Sequence, residues 1–293
     1  CYNACVALRP GDPRAWHNRG LIYLKQRLFK LAEADFDRAI QFRDDVPEPY
    51  IDRALAKEGL ERYREAVEDL TAALKHRTSI TRVYFMRAIA REKSGDREGA
   101  RRDMAEGMRL EPAESDYTSW IARGEARIQN DPQGALADFE KALEINPLSA
   151  EALQNKARVL SESLDRPDDA IRVLDRSVAL HPDFVPARAG RGVLLARAGR
   201  RQAAEEDARE SLLRDTRAPN LYQVAGIYAL NSRKHPADRV EALHLLSEAL
   251  RAGFGLDLVD KDTDLNPIRE NPEFRRVVKA AREVHAVGGG DSK

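Results

Sequence analysis

Arg19 and Asp35 pose the first chemical question in a chain of 293 residues. Both fall among Leu21, Leu24, Leu28, Leu31, Ala32, Phe36 and Ala39, which are spaced as two apolar helical stripes. The same pairing, sixteen residues apart, recurs as Arg53 with Asp69, Arg87 with Asp103 and Arg191 with Asp207, and at fifteen residues as Arg123 with Asp138. Where the Asp position holds Val173 or Leu245, the Arg position holds Lys156 or Ala225. Joint presence and absence points to an ion pair clasping two helices, because a guanidinium fork suits a carboxylate. The competing reading leaves both charges solvated. Either way their chemistry is structural, not catalytic.

Other reactive residue types lack the company that chemistry needs. His17, His76, His181, His235, His244 and His285 are scattered, with no paired-ligand spacing and no nucleophile-and-orienter set. Cys1 and Cys5 read as structural or incidental thiols, since a structural zinc site takes four suitable ligands. Gly253 and Gly255 follow a helix pattern and Gly288 to Gly290 suit a flexible end, so no phosphate cradle is expected. Asp260, Asp262 and Asp264 alternate as carboxylates do in a calcium loop. Such a loop needs Gly at its sixth position and Glu at its twelfth, where this chain has Leu265 and Asn271. Helix capping and turn formation are the expected roles of that stretch. No catalytic residue, cofactor or metal site is expected in this segment.

Composition narrows the class. Hydrophobic residues make up 42% and charged residues 33%, enough apolar side chains for a continuous core in one elongated or two compact domains. Forty-nine basic against forty-nine acidic residues leave a formal net charge of +0, so nucleic acid and anionic membranes are not expected partners. No apolar run approaches bilayer length and no leader pattern opens the chain. A cytoplasmic location is the expectation for this segment.

The elements that hold the charges repeat. Trp16, Gly20, Ala32, Phe36 and Ala39 recur thirty-four residues later as Tyr50, Ala54, Ala66, Leu70 and Ala73, and again as Tyr84, Ala88, Ala100, Met104 and Gly107. A fourth unit keeps Trp120, Gly124, Ala135, Phe139 and Ala142 with one residue fewer between its helices. Later units run through Ala157 and Ala170, Gly192 and Ala204, and Gly226 and Ala242. Tyr2, Cys5, Leu8 and Pro10 suit the end of a second helix whose first helix lies upstream. Asp12-Pro13, Gly95-Asp96, Asp131-Pro132 and Asn146-Pro147 mark helix boundaries.

This pattern resembles the tetratricopeptide repeat family, over about residues 1 to 253: a large residue at the fourth position, Gly or Ala at the eighth, Ala at the twentieth and twenty-seventh. The resemblance implies an all-α fold, a right-handed superhelical solenoid of about seven helix pairs with a C-terminal helical cap. The expected organisation is 1–12 for the end of a truncated upstream repeat, 13–253 for seven repeats, 254–286 for the cap and 287–293 for a flexible tail. Gly253-Phe254 and DTDLNPIRENPEF at 262–274 resemble the closing segment of such arrays in large bacterial proteins, including Ser/Thr kinases. Leu265, Ile268, Phe274, Val277 and Val278 would cover the end of the last repeat.

The resemblance also implies a binding groove. Family geometry puts the fifth and ninth positions of each first helix on the concave face: His17 and Leu21, Ile51 and Leu55, Phe85 and Ile89, then Ile121 and Glu125. An apolar seam there would take a protein or peptide, with Phe85 as an anchor and Tyr84 as a packing residue. The alternative is that neighbouring helices bury the seam. Gln154 and Arg158, Ala189 and Val193, and Gln223 and Ile227 make the far half smaller and more polar. The family's carboxylate-gripping pattern is absent from adjacent repeats. The expected function is a non-enzymatic protein- or peptide-binding scaffold. The alternative is a regulatory or recruiting arm of a larger bacterial Ser/Thr kinase, with its own upstream domain as a partner.

Overall fold

The computed structural model describes residues 2–76 and 80–288. Cys1 and residues 289–293 lie outside the described residues, and with them the readings of Cys1 as an incidental thiol and of most of 287–293 as a tail. Among the described residues all regular structure is helical, in seventeen α-helices. No described helix is long and apolar enough to cross a membrane. The chain divides into two compact units, residues 1–147 and 148–293.

The first unit opens with the short helix α1 (Tyr2–Leu8) and continues as four antiparallel pairs. These are α2 (Pro13–Lys25) with α3 (Phe29–Phe42), α4 (Glu48–Gly59) with α5 (Tyr63–His76), α6 (Thr81–Ser94) with α7 (Arg97–Arg109), and α8 (Tyr117–Arg127) with α9 (Pro132–Ile145). Capping carboxylates start several helices: Asp96 accepts from Gly99 N at 2.8 Å and Asp131 from Gly134 N at 2.9 Å. Small residues set how closely a pair approaches. A methyl group on Gly20 would sit 2.7 Å from the Phe36 ring, and one on Gly124 would sit 2.7 Å from the Phe139 ring. Both rings are fully buried.

The second unit holds three pairs and a cap. α10 (Ala150–Arg158) runs into a π turn, Val159–Ser163, and pairs with α11 (Pro167–Leu180). α12 (Val185–Arg197) pairs with α13 (Arg201–Arg214), and α14 (Ala218–Asn231) with α15 (Asp238–Arg251). The π turn has a cause in the spacing: Ala157 and Ala170 are one residue farther apart than the equivalent Ala54 and Ala66. A single extra residue is absorbed as one wide turn, so the helices on both sides keep their faces. The left-handed residue that ends the first helix moves with it. Arg27, Glu61, Gly95 and Gly199 occupy the fifteenth position with φ of 60, 60, 93 and 71°, whereas Asp165, with φ 51°, occupies the sixteenth.

The cap consists of a loop after α15, a short helical turn at Thr263–Leu265, α16 (Asn266–Arg269) and α17 (Pro272–Gly288). Leu265, Ile268, Phe274 and Val278 are buried, with Val277 only partly so. The loop and α16 pack on α14, and α17 packs on α15, which covers the apolar faces of the last pair.

Candidate functional site

Each of the five Arg–Asp pairs is a two-pronged hydrogen bond from guanidinium to carboxylate. The Nε and Nη2 distances are 2.7 and 2.6 Å for Arg19–Asp35, 2.8 and 2.6 Å for Arg87–Asp103, 3.1 and 2.7 Å for Arg123–Asp138, and 2.7 Å twice for Arg191–Asp207. Arg53 grips Asp69 in the same way. The carboxylates are nearly inaccessible while the guanidiniums remain partly wet. Leaving part of the cation in water lowers the desolvation cost of the pair.

Three features of the clasp escaped the sequence reading. A second cation joins most of the carboxylates: Lys57 to Asp69 at 2.8 Å, Arg91 to Asp103 at 2.9 Å, Arg127 to Asp138 at 3.0 Å and Arg188 to Asp207 at 3.5 Å. Lys57, Arg91 and Arg127 each lie four residues after the clasp arginine, one helical turn away. The arginine also reaches back to the preceding repeat, where Arg53 donates to Asp37, Arg87 to Thr71 and Arg191 to Asp175 at 2.7, 3.1 and 2.8 Å. Those acceptors lie sixteen residues upstream, so the signal was in the chain as a second spacing. Finally, the fourth-position ring covers the guanidinium, with Arg19 5.0 Å from Trp16, Arg53 5.5 Å from Tyr50, Arg87 5.7 Å from Tyr84 and Arg123 4.6 Å from Trp120.

The apolar seam is not an open groove. Ile51, Phe85 and Ile121 retain only 3, 4 and 3% of their accessible surface, and the expectation that they line an exposed surface is corrected. Fifth-position side chains point into the packing. A methyl on Gly107 would lie 2.9 Å from the Phe85 ring, so Phe85 fills the crossing of α6 and α7. In this repeat the aromatic has changed helices: elsewhere Phe36 and Phe139 of the second helix fill the space over a first-helix Gly, whereas here a first-helix Phe fills the space over a second-helix Gly. Met104, at the usual aromatic position, is left 36% exposed. Tyr84 is the less buried of its pair with Phe85, the reverse of the expected roles. His17 is half-buried, its ring nitrogen 2.7 Å from Asp52 Oδ2 and its ring 5.7 Å from Phe36, which makes it a bridge between α2 and α4. Of the seven seam residues, Leu21 is partly exposed, and Leu55 and Ile89 are exposed.

The second unit carries an open cavity beside its first helices. About 490 Å³ lies open between the first helices α10, α12 and α14 and the loop that begins the cap. Here the fifth positions are Gln154, Ala189 and Gln223, and the chain opposite is Gly190. A methyl on Gly190 would stand 3.5 Å from Gln154 Nε2 and 3.9 Å from Gln223 Nε2, so two carboxamides converge over one glycine. Gln154 Oε1 is buried and has no hydrogen-bond partner. The cap forms the remaining wall. Gly255, with φ +86°, passes so close to the Tyr222 ring that a methyl there would lie 2.4 Å from it, and Phe254 meets the same ring edge-on at 5.7 Å. Arg197 donates to both oxygens of Asp264 at 2.8 Å, and Asp262 caps the turn by accepting from Asp264 N at 2.9 Å. Asp260 pairs with Arg282, so the three alternating carboxylates are spent on one cap and two ion pairs. Among the described residues no group of three His, Cys, Asp or Glu side chains could hold a metal.

Comparison with known proteins gives the class. Family models described as tetratricopeptide repeat match residues 13–45, 139–172 and 161–220, so the chain carries such repeats. Over 66 residues it is 33% identical to sperm-associated antigen 1 of Homo sapiens, covering 22% of this chain and 7% of that protein. Among solved structures it is similar to a chain of the APC/C hetero-tetramer Cut9-Hcn1, with TM-score 0.56, 18% identity, and 85% of this chain and 45% of that one covered. It is also similar to the IFIT1 monomeric mutant with Gppp-AAAA, with TM-score 0.61, 14% identity, and 93% and 71% covered. The chain spans well under two thirds of the length of the first two. At these identities the structural likeness is one of fold, an all-α array of helix pairs.

Proposed function

We propose that this segment is a protein-interaction scaffold whose binding site is the cavity of the second unit, where it holds an extended segment of a partner protein. The carrying observation is the pair of converging carboxamides. A carboxamide presents one acceptor and two donors, which is the complement of a peptide unit, and Gln154 Oε1 is buried without a partner. The two Nε2 groups over Gly190 would donate to a bound peptide carbonyl, each such hydrogen bond contributing about 0.5–1.5 kcal/mol. Gly190 leaves room for main chain to approach between the two groups. The repeats supply a rigid frame, and no residue of the cavity is placed as nucleophile and base, so the role proposed is binding without catalysis.

The test is selection of peptides from a random, end-blocked decapeptide library on immobilised wild type and on the double variant Gln154→Ala, Gln223→Ala, with thermal melts of both. Selected peptides should bind the double variant at least about tenfold more weakly, the value of roughly 1.4 kcal/mol from two lost hydrogen bonds. Equal retention by two equally stable proteins would sink the reading. The likeness of 262–274 to the end of repeat arrays in Ser/Thr kinases supports a second reading, a recruiting arm beside a kinase domain. Reading the gene upstream of Cys1 for a Gly-rich loop and an His-Arg-Asp loop tests it.

A further inference from the structure

The third helix pair of the first unit leaves unfilled a place that its neighbours fill. In the other three pairs the twenty-fourth-position side chain, Phe36, Leu70 or Phe139, is fully buried. In the first and fourth pairs it is a ring lying against an eighth-position glycine, Gly20 or Gly124. The third pair carries Met104 there, which stays exposed while Phe85 packs over Gly107. A slot of about 210 Å³ opens beside it, lined by Ala88, Ala100 and Met104 at the eighth, twentieth and twenty-fourth positions and by the exposed Ile89 at the ninth. The same four positions in the first pair are Gly20, Ala32, Phe36 and Leu21, which pack together around the Phe36 ring.

The fourth pair does not close the slot. At the tenth position Ala56 and Ala90 are fully buried in the core of the pair before their own, whereas the equivalent Ala126 is partly exposed. The backbone shows why: α4 packs broadly on α3 and α6 on α5, but α8 scarcely touches α7. The link into α8 runs from 110 to 116, where the link into α4 runs only from 43 to 47. The rim of the slot is charged. Arg97 and Arg101, exposed and one turn apart on α7, line it together with Glu92 of α6. The carboxylates within a turn of the two arginines are engaged elsewhere: Asp96 caps α7, Glu98 pairs with Arg102, and Asp103 is held by Arg87 and Arg91, which leaves Arg97 and Arg101 without an ion pair among the described residues.

We propose that this slot is a second binding site, for an aromatic side chain of a partner protein segment that carries Asp or Glu beside the ring. The occupant is drawn from the fold itself, since equivalent surroundings in the first and fourth pairs hold a phenylalanine ring of their own. Ala88, Ile89 and Ala100 offer apolar contact, and Met104, unbranched and polarizable, adapts to a ring. The two unpaired arginines select carboxylate neighbours over α7, where a basic neighbour would meet repulsion. The site belongs to the first unit and is independent of the cavity in the second.

The experiment uses the full 293-residue chain carrying Gln154→Ala and Gln223→Ala, so that the second-unit cavity does not contribute. It is exposed to end-blocked heptapeptide pools, random except for a fixed centre of Glu-Phe-Glu, Glu-Ala-Glu or Lys-Phe-Lys, and read as retained fraction. The Glu-Phe-Glu pool should be retained roughly tenfold over the other two, and its advantage over Lys-Phe-Lys should shrink as salt rises. Met104→Phe restores the ring found in the sibling pairs and should raise the melting temperature while abolishing that retention. Arg97→Glu with Arg101→Glu, both at exposed positions, should reverse the preference between the Glu and Lys pools at an unchanged melt, and it decides the matter if the Met104→Phe chain does not fold. Equal retention of Glu-Phe-Glu and Glu-Ala-Glu, or retention that a folded Met104→Phe chain keeps, overturns the slot; a preference for Glu that survives the charge reversal overturns the rim. Self-association in sedimentation that Met104→Phe abolishes would give the slot to a second copy and overturn the peptide occupant. None of these failures touches the reading of the second-unit cavity.

Discussion

The fifth position of the repeat does opposite things in the two units. In three of the first unit's four pairs Ile51, Phe85 and Ile121 occupy it and vanish into the packing between helices, while His17 in the remaining pair is half-buried. In the second, Gln154 and Gln223 occupy it and line a cavity of about 490 Å³, while Ala189 between them is fully buried. The geometry of the position is shared; the side chain decides the outcome. A large apolar group gains more from filling the space than from staying wet, so it becomes core. An amide-bearing group borders the space and lines it with hydrogen-bonding atoms. An apolar first-helix face is therefore a poor guide to a groove in this chain, and a polar one a better guide.

The ion-pair clasp offers the strongest way to break that comparison, because it is common to both units. Asp138→Ala would strand Arg123, itself only 9% exposed, together with Arg127, and should destabilise by about 3–5 kcal/mol in chemical denaturation. Asp207→Ala in the second unit should behave alike. A loss below about 1 kcal/mol at both sites would mean that the pairs act as solvated surface charges.

Phe85→Ala sharpens the contrast at the fifth position itself. It removes a ring that fills the α6–α7 crossing and should cost about 3–4 kcal/mol, whereas Ile89→Ala, at a side chain 53% exposed, should cost well under 1 kcal/mol. Similar small costs for both would return Phe85 to the surface. In the second unit Gln223→Ala should change the melt little, since its carboxamide borders a cavity.

The first unit also holds a carboxylate outside the clasps. Burial pushes Glu58 up to about 7 from an ordinary 4.5, and its Oε1 has no hydrogen-bond partner. The folded state binds this proton more tightly than the unfolded chain does, so the contribution of Glu58 to stability is fully present below pH 4.5 and is lost as pH rises through about 7. Melts of wild type and Glu58→Gln across that window check it: the variant should lose this slope and gain stability at pH 8. The smallest expected effect is at the helix ends. Glu61→Gly replaces a side chain held at φ 60° where Gly95 and Gly199 serve elsewhere, and should stabilise by up to about 1 kcal/mol in the same denaturation experiment.

Much of this molecule follows from the chain alone, and particular residues show why. The period of thirty-four, the small residues Gly20, Ala54 and Gly124, and the Arg and Asp sixteen apart are all local or near-local statements about helices. A helix pair needs its close-approach residues and its buried charges at set intervals, so spacing in sequence becomes spacing in space. The extra residue before Ala170 even foretells a local irregularity, though its form as a π turn came only with the structure. The burial of Phe85 is different. Whether a fifth-position side chain is covered depends on what the facing helix offers, here Gly107, and that is a property of two surfaces and not of one stretch. The cavity is more remote still from sequence reading: Gln154, Gly190, Gln223, Asp262 and Asp264 come from three repeats and a cap, and no spacing rule links them. The periodic backbone, with its repeating intervals, was determined by the sequence itself. Which side chains end up filling space and which end up bordering it was decided by tertiary packing, because a void belongs to all the elements around it at once.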